Sequence, residues 1–220
     1  YAKNIGSKGF TTQLMSSNQE ILKIRMMFYN AGIIHPTAFI RKEFIEIHQI
    51  RYDEEIKKSQ DYALWVDILQ YGEIKLVPKV LLGYRRHENQ IIHSKSSEVE
   101  EFTNLIRLRN WARIGVDFND KEKRLLKSIS LPVVESSSKE FKNLFMKLQD
   151  WSKYNNNFNR KMFSAELNRL WLHLGLKRLK NKHSFDMLLD VRILRLLKPY
   201  NIFYLLNFYL YDRIKPYMFR

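Results

Sequence analysis

The chain has 220 residues, of which 45% are apolar, so it specifies one large or two small packed domains and is no low-complexity disordered segment. It has no cysteine, which excludes a disulfide framework and thiolate zinc sites. The net charge of +15 is uneven: residues 1–97 hold 14 Lys and Arg against 10 Asp and Glu, and residues 98–220 hold 24 against 13. A basic surface of this kind suits nucleic acid, anionic lipid or phosphorylated substrates. No apolar run reaches the ~20 residues needed to span a bilayer, and Tyr1-Ala2-Lys3-Asn4-Ile5 does not open a signal peptide.

Residues 1–15, with two glycines among scattered polar residues, read as a loop. Ser17-Asn18-Gln19-Glu20 has capping-box spacing, and Ile21, Ile24, Met27 and Phe28 then share a face, so a helix of about three turns is expected. Ile33 to Ile40 is apolar with one proline and reads as a strand entered from a turn. Arg41 to His48 reads as a short helix, and Tyr52-Asp53-Glu54 as a turn. Ser59 is a candidate N-cap for a helix in which Tyr62, Trp65, Ile68 and Leu69 recur until Tyr71-Gly72 stops it. Residues 73–86 alternate as one or two strands, with Pro78 at a turn or an edge.

From Ser96 the pattern becomes helical throughout. Helices are expected over about 97–114, 119–130, 137–154 and 159–180, with two more separated by Pro199. Ser97 with Glu100, and Ser137 with Glu140, fit the capping box. Phe141, Leu144, Phe145, Leu148 and Trp151 line one face and read as core. Residues 184–220 mix Leu, Ile, Phe and Tyr with Arg192, Arg195, Lys198, Arg213, Lys215 and Arg220. That composition fits an interfacial helix pair on an anionic membrane, and equally an amphipathic pair packed on the protein's own body.

The stretch that carries chemistry is Ser59-Gln60-Asp61-Tyr62-Ala63-Leu64-Trp65. A carboxylate in the first turn of a helix is favoured in its ionised form by unpaired amide donors, so Asp61 is suited to accept a proton. Trp65, four residues on, shares its face and offers a flat apolar surface to a sugar ring. The plain alternative is that Asp61 only caps the helix and Trp65 only fills the core.

Around this stretch lie Asn30-Ala31-Gly32-Ile33-Ile34-His35-Pro36-Thr37-Ala38-Phe39-Ile40-Arg41-Lys42 and Tyr52-Asp53-Glu54 upstream. Val77-Pro78-Lys79-Val80-Leu81-Leu82 and Tyr84-Arg85-Arg86-His87-Glu88-Asn89-Gln90 lie downstream. In that order, roughly residues 20–95 resemble the second half of a family-2 glycosyltransferase catalytic domain of the GT-A fold. The resemblance implies an α/β architecture, a partial GT-A domain with a mixed sheet and flanking helices over residues 1–96, followed by an all-α, basic region over residues 97–220. It also implies an inverting transfer from a nucleotide-sugar donor to a saccharide or lipid-linked acceptor, with bacterial surface polysaccharide assembly as the family's usual setting.

Within that reading Asp61 is the catalytic base, while Trp65, His35 and Gln60 meet the acceptor. Arg85 and Arg86 face the donor diphosphate, and His87 is a ligand of a divalent metal, Mn or Mg. His35 is otherwise a satisfied structural histidine, His87 an exposed loop residue, and either arginine a solvated one. The sequence departs from the family at Gln60, commonly Glu, and at Ile92, commonly Ser. The family's nucleotide-binding half and Asp-x-Asp metal motif are expected upstream of Tyr1, so the chain reads as the C-terminal part of a longer, cytoplasmic or peripherally membrane-bound protein with little activity alone. The rival is a non-catalytic basic helical module that binds anionic membrane or nucleic acid; residues 98–220 show no nucleic-acid signature, so nucleic acid is the less favoured partner.

Overall fold

The computed structural model describes residues 2–5, 10–11, 18–31, 33–77, 79–85, 97–131 and 136–180. In chain order these form β1 (Ala2–Ile5), β2 (Phe10–Thr11), α1 (Gln19–Met26), a 3-10 turn (His35–Thr37), α2 (Lys42–Ile47), α3 (Gln60–Tyr71) and β3 (Leu82–Arg85). The helices α4 (Ser97–Arg113), α5 (Asp120–Ser130), α6 (Ser138–Tyr154) and α7 (Arg160–Lys180) follow.

The expected α/β architecture is overturned: the described chain is predominantly helical. Its strands are only four, two and four residues long, in the order β2-β1-β3, with β1 antiparallel to β2 and parallel to β3. The stretch expected as a strand over Ile33 to Ile40 is instead the turn His35-Pro36-Thr37, where Pro36 sets a helical φ and withholds an amide donor. Conversely, Ala2–Ile5 and Phe10–Thr11, expected as loop, pair as strands. In the parallel pairing of β1 with β3, Ala2 lies opposite Leu82, a partner no local pattern discloses.

Helix termini follow local chemistry. Asn18, not Ser17, caps α1, accepting from Ile21 N at 3.0 Å. Both capping-box hydrogen bonds are present in Asn119/Glu122 before α5 and in Ser137/Glu140 before α6. Past the end of α4, Gly115 takes φ +77, a conformation that costs glycine little.

Two apolar clusters result. The larger joins Ile24, Met27 and Phe28 of the α1 segment to Trp111, Leu126, Phe141, Leu148, Phe163 and Leu174 of the later helices. The smaller gathers Leu22 and Met26 with Ile56, Tyr62, Trp65, Val66 and Leu69, and takes Ile106 from α4. Alternate residues of α1 therefore serve opposite cores, and α1 is the element the two share.

The carbonyls at the end of α1, which no longer have helical partners, are claimed from several sides. Tyr62 Oη of α3 donates to Met26 O at 2.6 Å, and Trp111 Nε1 of α4 donates to Met27 O at 2.8 Å. Asn110 Nδ2 reaches Met26 O at 3.4 Å and Met27 Sδ at 3.0 Å. Three helices are thus tied together at one buried chain end.

Candidate functional site

Asp61 lies in the first turn of α3, half-buried. Ser59 before it is left-handed, with φ 60 and ψ 29, and its side chain caps nothing; its hydroxyl pairs with Thr103 Oγ1 of α4 at 3.0 Å. Inside the first turn, Asp61 Oδ1 accepts at 2.8 Å from Tyr62 N, an amide that also reaches Ser59 O at 3.0 Å. Among the described residues Asp61 Oδ2 has no hydrogen-bond partner. One carboxylate oxygen is fixed by the backbone while the other remains available to a hydroxyl.

Trp65 is only 2% exposed and belongs to the smaller core, so it offers no open stacking face of its own. Its indole N–H is buried without a hydrogen-bond partner. The His35 ring stands nearly perpendicular to it, with centroids 5.8 Å apart and an interplanar angle of 79°. His35 Nε2 and Tyr52 Oη share a 2.7 Å hydrogen bond. The exposed members of this aromatic set are His35 and Tyr52, with Trp65 behind them. Gln60 is exposed at the first position of α3.

Arg85 ends β3; Arg86, His87, Ile92 and the basic tail over 184–220 lie outside the described residues. Among the described residues no group of three or more His, Asp and Glu side chains is placed to hold a metal ion. Nor is any of their helices long and apolar enough to cross a membrane.

The loop that carries Tyr52 is held from α4. Arg109 Nη1 donates to Asp53 Oδ2 at 2.8 Å and its Nη2 to Glu55 Oε2 at 3.1 Å, while Asp53 Oδ1 accepts from Glu55 N at 2.9 Å. Arg113 pairs with Asp67 of α3 at 2.7 Å. The pairings of Tyr52 with His35 and of Arg109 with Asp53 are not legible in the sequence, because the partners are 17 and 56 residues apart. The one legible signal was the Tyr52-Asp53-Glu54 turn, an acidic step close before an amphipathic helix.

Beneath the site, burial pushes the Tyr62 hydroxyl up to about 12, against the opposing pull of the Arg107 guanidinium. Tyr62 therefore stays a donor, as its bond to Met26 O requires. Arg107, itself fully buried, donates to Leu126 O at 2.6 Å and to Asn104 Oδ1 at 3.2 Å. Compared with protein-family models, curated proteins and solved structures, the chain matches none of them.

Proposed function

We propose that this chain carries the acceptor side of an inverting glycosyl-transfer site, moving sugar from a nucleotide-sugar donor to a saccharide or lipid-linked acceptor. The observation that carries the reading is the Asp61 carboxylate, with Oδ1 held by an amide and Oδ2 unpartnered among the described residues, beside the order of motifs that resembles family-2 glycosyltransferases. Asp61 Oδ2 accepts the proton of an acceptor hydroxyl as that oxygen attacks the anomeric carbon. The bond from that carbon to the donor diphosphate breaks on the opposite face, so the configuration inverts. His35 and Tyr52 present the exposed ring edges and polar atoms against which an acceptor is oriented, with Trp65 as rigid backing.

The test is release of nucleoside diphosphate from a panel of nucleotide-sugars by the full-length gene product, with Mn or Mg and candidate acceptors, comparing wild type with Asp61→Asn. Turnover is expected to fall by about 100-fold or more with donor binding retained. Unchanged turnover would return Asp61 to the role of a helix cap and remove the reading.

A further inference from the structure

The first turn of α3 is held at two points by groups outside its own helix. Ser59 Oγ pairs with Thr103 Oγ1 at 3.0 Å immediately before it, and Tyr62 Oη donates to Met26 O at 2.6 Å immediately after Asp61. The second point is fully buried, and its acceptor belongs to the chain end that Asn110 and Trp111 also grip. The charged group that acts on Tyr62 from α4 is Arg107, with Tyr29 contributing more weakly from the α1 side. Arg107 is in turn anchored on the end of α5 through Leu126 O. Meanwhile the Tyr62 amide donates both to Ser59 O at 3.0 Å and to Asp61 Oδ1 at 2.8 Å. Tyr62 is thus joined to Asp61 by its backbone, and by its side chain to the end of α1 and, through Arg107, to α4.

We infer that Tyr62 is the positioning residue for Asp61: its hydroxyl, locked on the Met26 carbonyl beside Arg107, transmits the packing of α4 to the carboxylate. Burial leaves the Tyr62 hydroxyl with Met26 O and the Arg107 guanidinium as its polar partners, and Tyr62→Phe loses both at once, so the first turn is freed rather than one contact exchanged for another. The helical region over residues 97–180 then acts as the frame that sets where Asp61 stands. That this position matters for turnover rests on the glycosyl-transfer reading; that Tyr62 sets it does not.

The test is amide hydrogen exchange on the whole chain, comparing wild type, Tyr62→Phe and Ser137→Ala. The last removes an exposed cap of α6 remote from Asp61 and controls for general loss of stability. Tyr62→Phe is expected to speed exchange of the residue-62 amide by about tenfold beyond the change in α7 amides, whereas Ser137→Ala leaves that ratio unchanged. If Tyr62→Phe fails to fold, Ser59→Ala removes the other tie and is expected to speed the same amide several-fold. An unchanged residue-62 amide, or one that moves no more than in Ser137→Ala, overturns the inference. In turnover assays Tyr62→Phe is expected to lower kcat about tenfold with KM unchanged. Should Asp61→Asn leave turnover intact, the glycosyl-transfer reading fails while the exchange ratio still decides the role of Tyr62.

Discussion

The helical region over residues 97–180 and the segment over residues 18–85 are built on different terms. The former uses helices of 17, 11, 17 and 21 residues, two of them opened by complete capping boxes. The latter uses helices of 8, 6 and 12 residues, and neither α2 nor α3 has a side-chain N-cap from the residue before it. Among the described residues, exposed large apolar side chains also concentrate there: Phe39, Ile47, Tyr52, Tyr71, Val77, Val80 and Leu81, against Leu105, Met146 and Tyr154 in the helical region. Helices that short gain little from their own hydrogen bonds and depend on tertiary packing. The contrast teaches that α3, which bears Asp61, is held from outside its own helix, by α4 and by the end of α1.

The most severe way to break that arrangement is at Trp111. It is fully buried, meets Phe28, Phe118, Trp151 and Phe163 at centroid distances from 5.4 to 6.3 Å, and also holds Met27 O. Trp111→Ala is expected to cost about 3–5 kcal/mol. Because the residue serves the α1 end that both clusters share, unfolding monitored in both regions is expected to shift together. Two separate transitions, with only the helical one displaced, would show that the regions are less dependent on each other than the geometry implies.

A somewhat smaller effect is expected where α7 clasps α1. Glu166 accepts from Arg25 Nε and Nη2, each at 3.0 Å, and from Arg169 Nε at 2.6 Å, while Arg169 also donates to the Tyr29 hydroxyl. Burial alone would raise the Glu166 carboxyl, but the two guanidiniums outweigh it and hold it below the ordinary value. With the folded value depressed, the clasp contributes fully above the ordinary carboxylate range and is lost as pH falls through the folded value. Glu166→Gln keeps the shape and removes the charge, at a cost of about 1.5–3 kcal/mol near neutrality. Urea melts are expected to show the gap between wild type and variant closing as pH falls below the ordinary carboxylate range. A gap independent of pH would mean that shape, not charge, holds the two helices.

The same division governs what the sequence could disclose. The helices expected over 119–130, 137–154 and 159–180 are observed as Asp120–Ser130, Ser138–Tyr154 and Arg160–Lys180. Their signals, a capping residue at the start and an apolar stripe between, are local. In the earlier segment the deciding contacts are distant: Ala2 with Leu82, Gln19 with the Ile74 backbone, His35 with Tyr52. A short apolar run such as Ile33 to Ile40 does not by itself distinguish a strand from a turn that packs on a core. The i, i+4 spacing of Asp61 and Trp65 placed both on α3, yet only tertiary packing reveals that Trp65 is core and that His35 and Tyr52 stand in front of it.

The smallest effect is expected at Phe39, and it is the sharpest test of the contrast. Phe39 is 97% exposed in the loop between the 3-10 turn and α2, so in the free chain it has no packing to lose. Phe39→Ser is therefore expected to change stability by less than about 0.5 kcal/mol in urea melts. The same holds for Leu81→Ser at 71% exposure before β3. A loss above ~1 kcal/mol, especially one that grows with protein concentration, would mean that these side chains are covered in solution. In that event the sparse packing of the Asp61 segment would be completed by contact between molecules, and α4 and the end of α1 would share with a neighbouring molecule the task of holding α3.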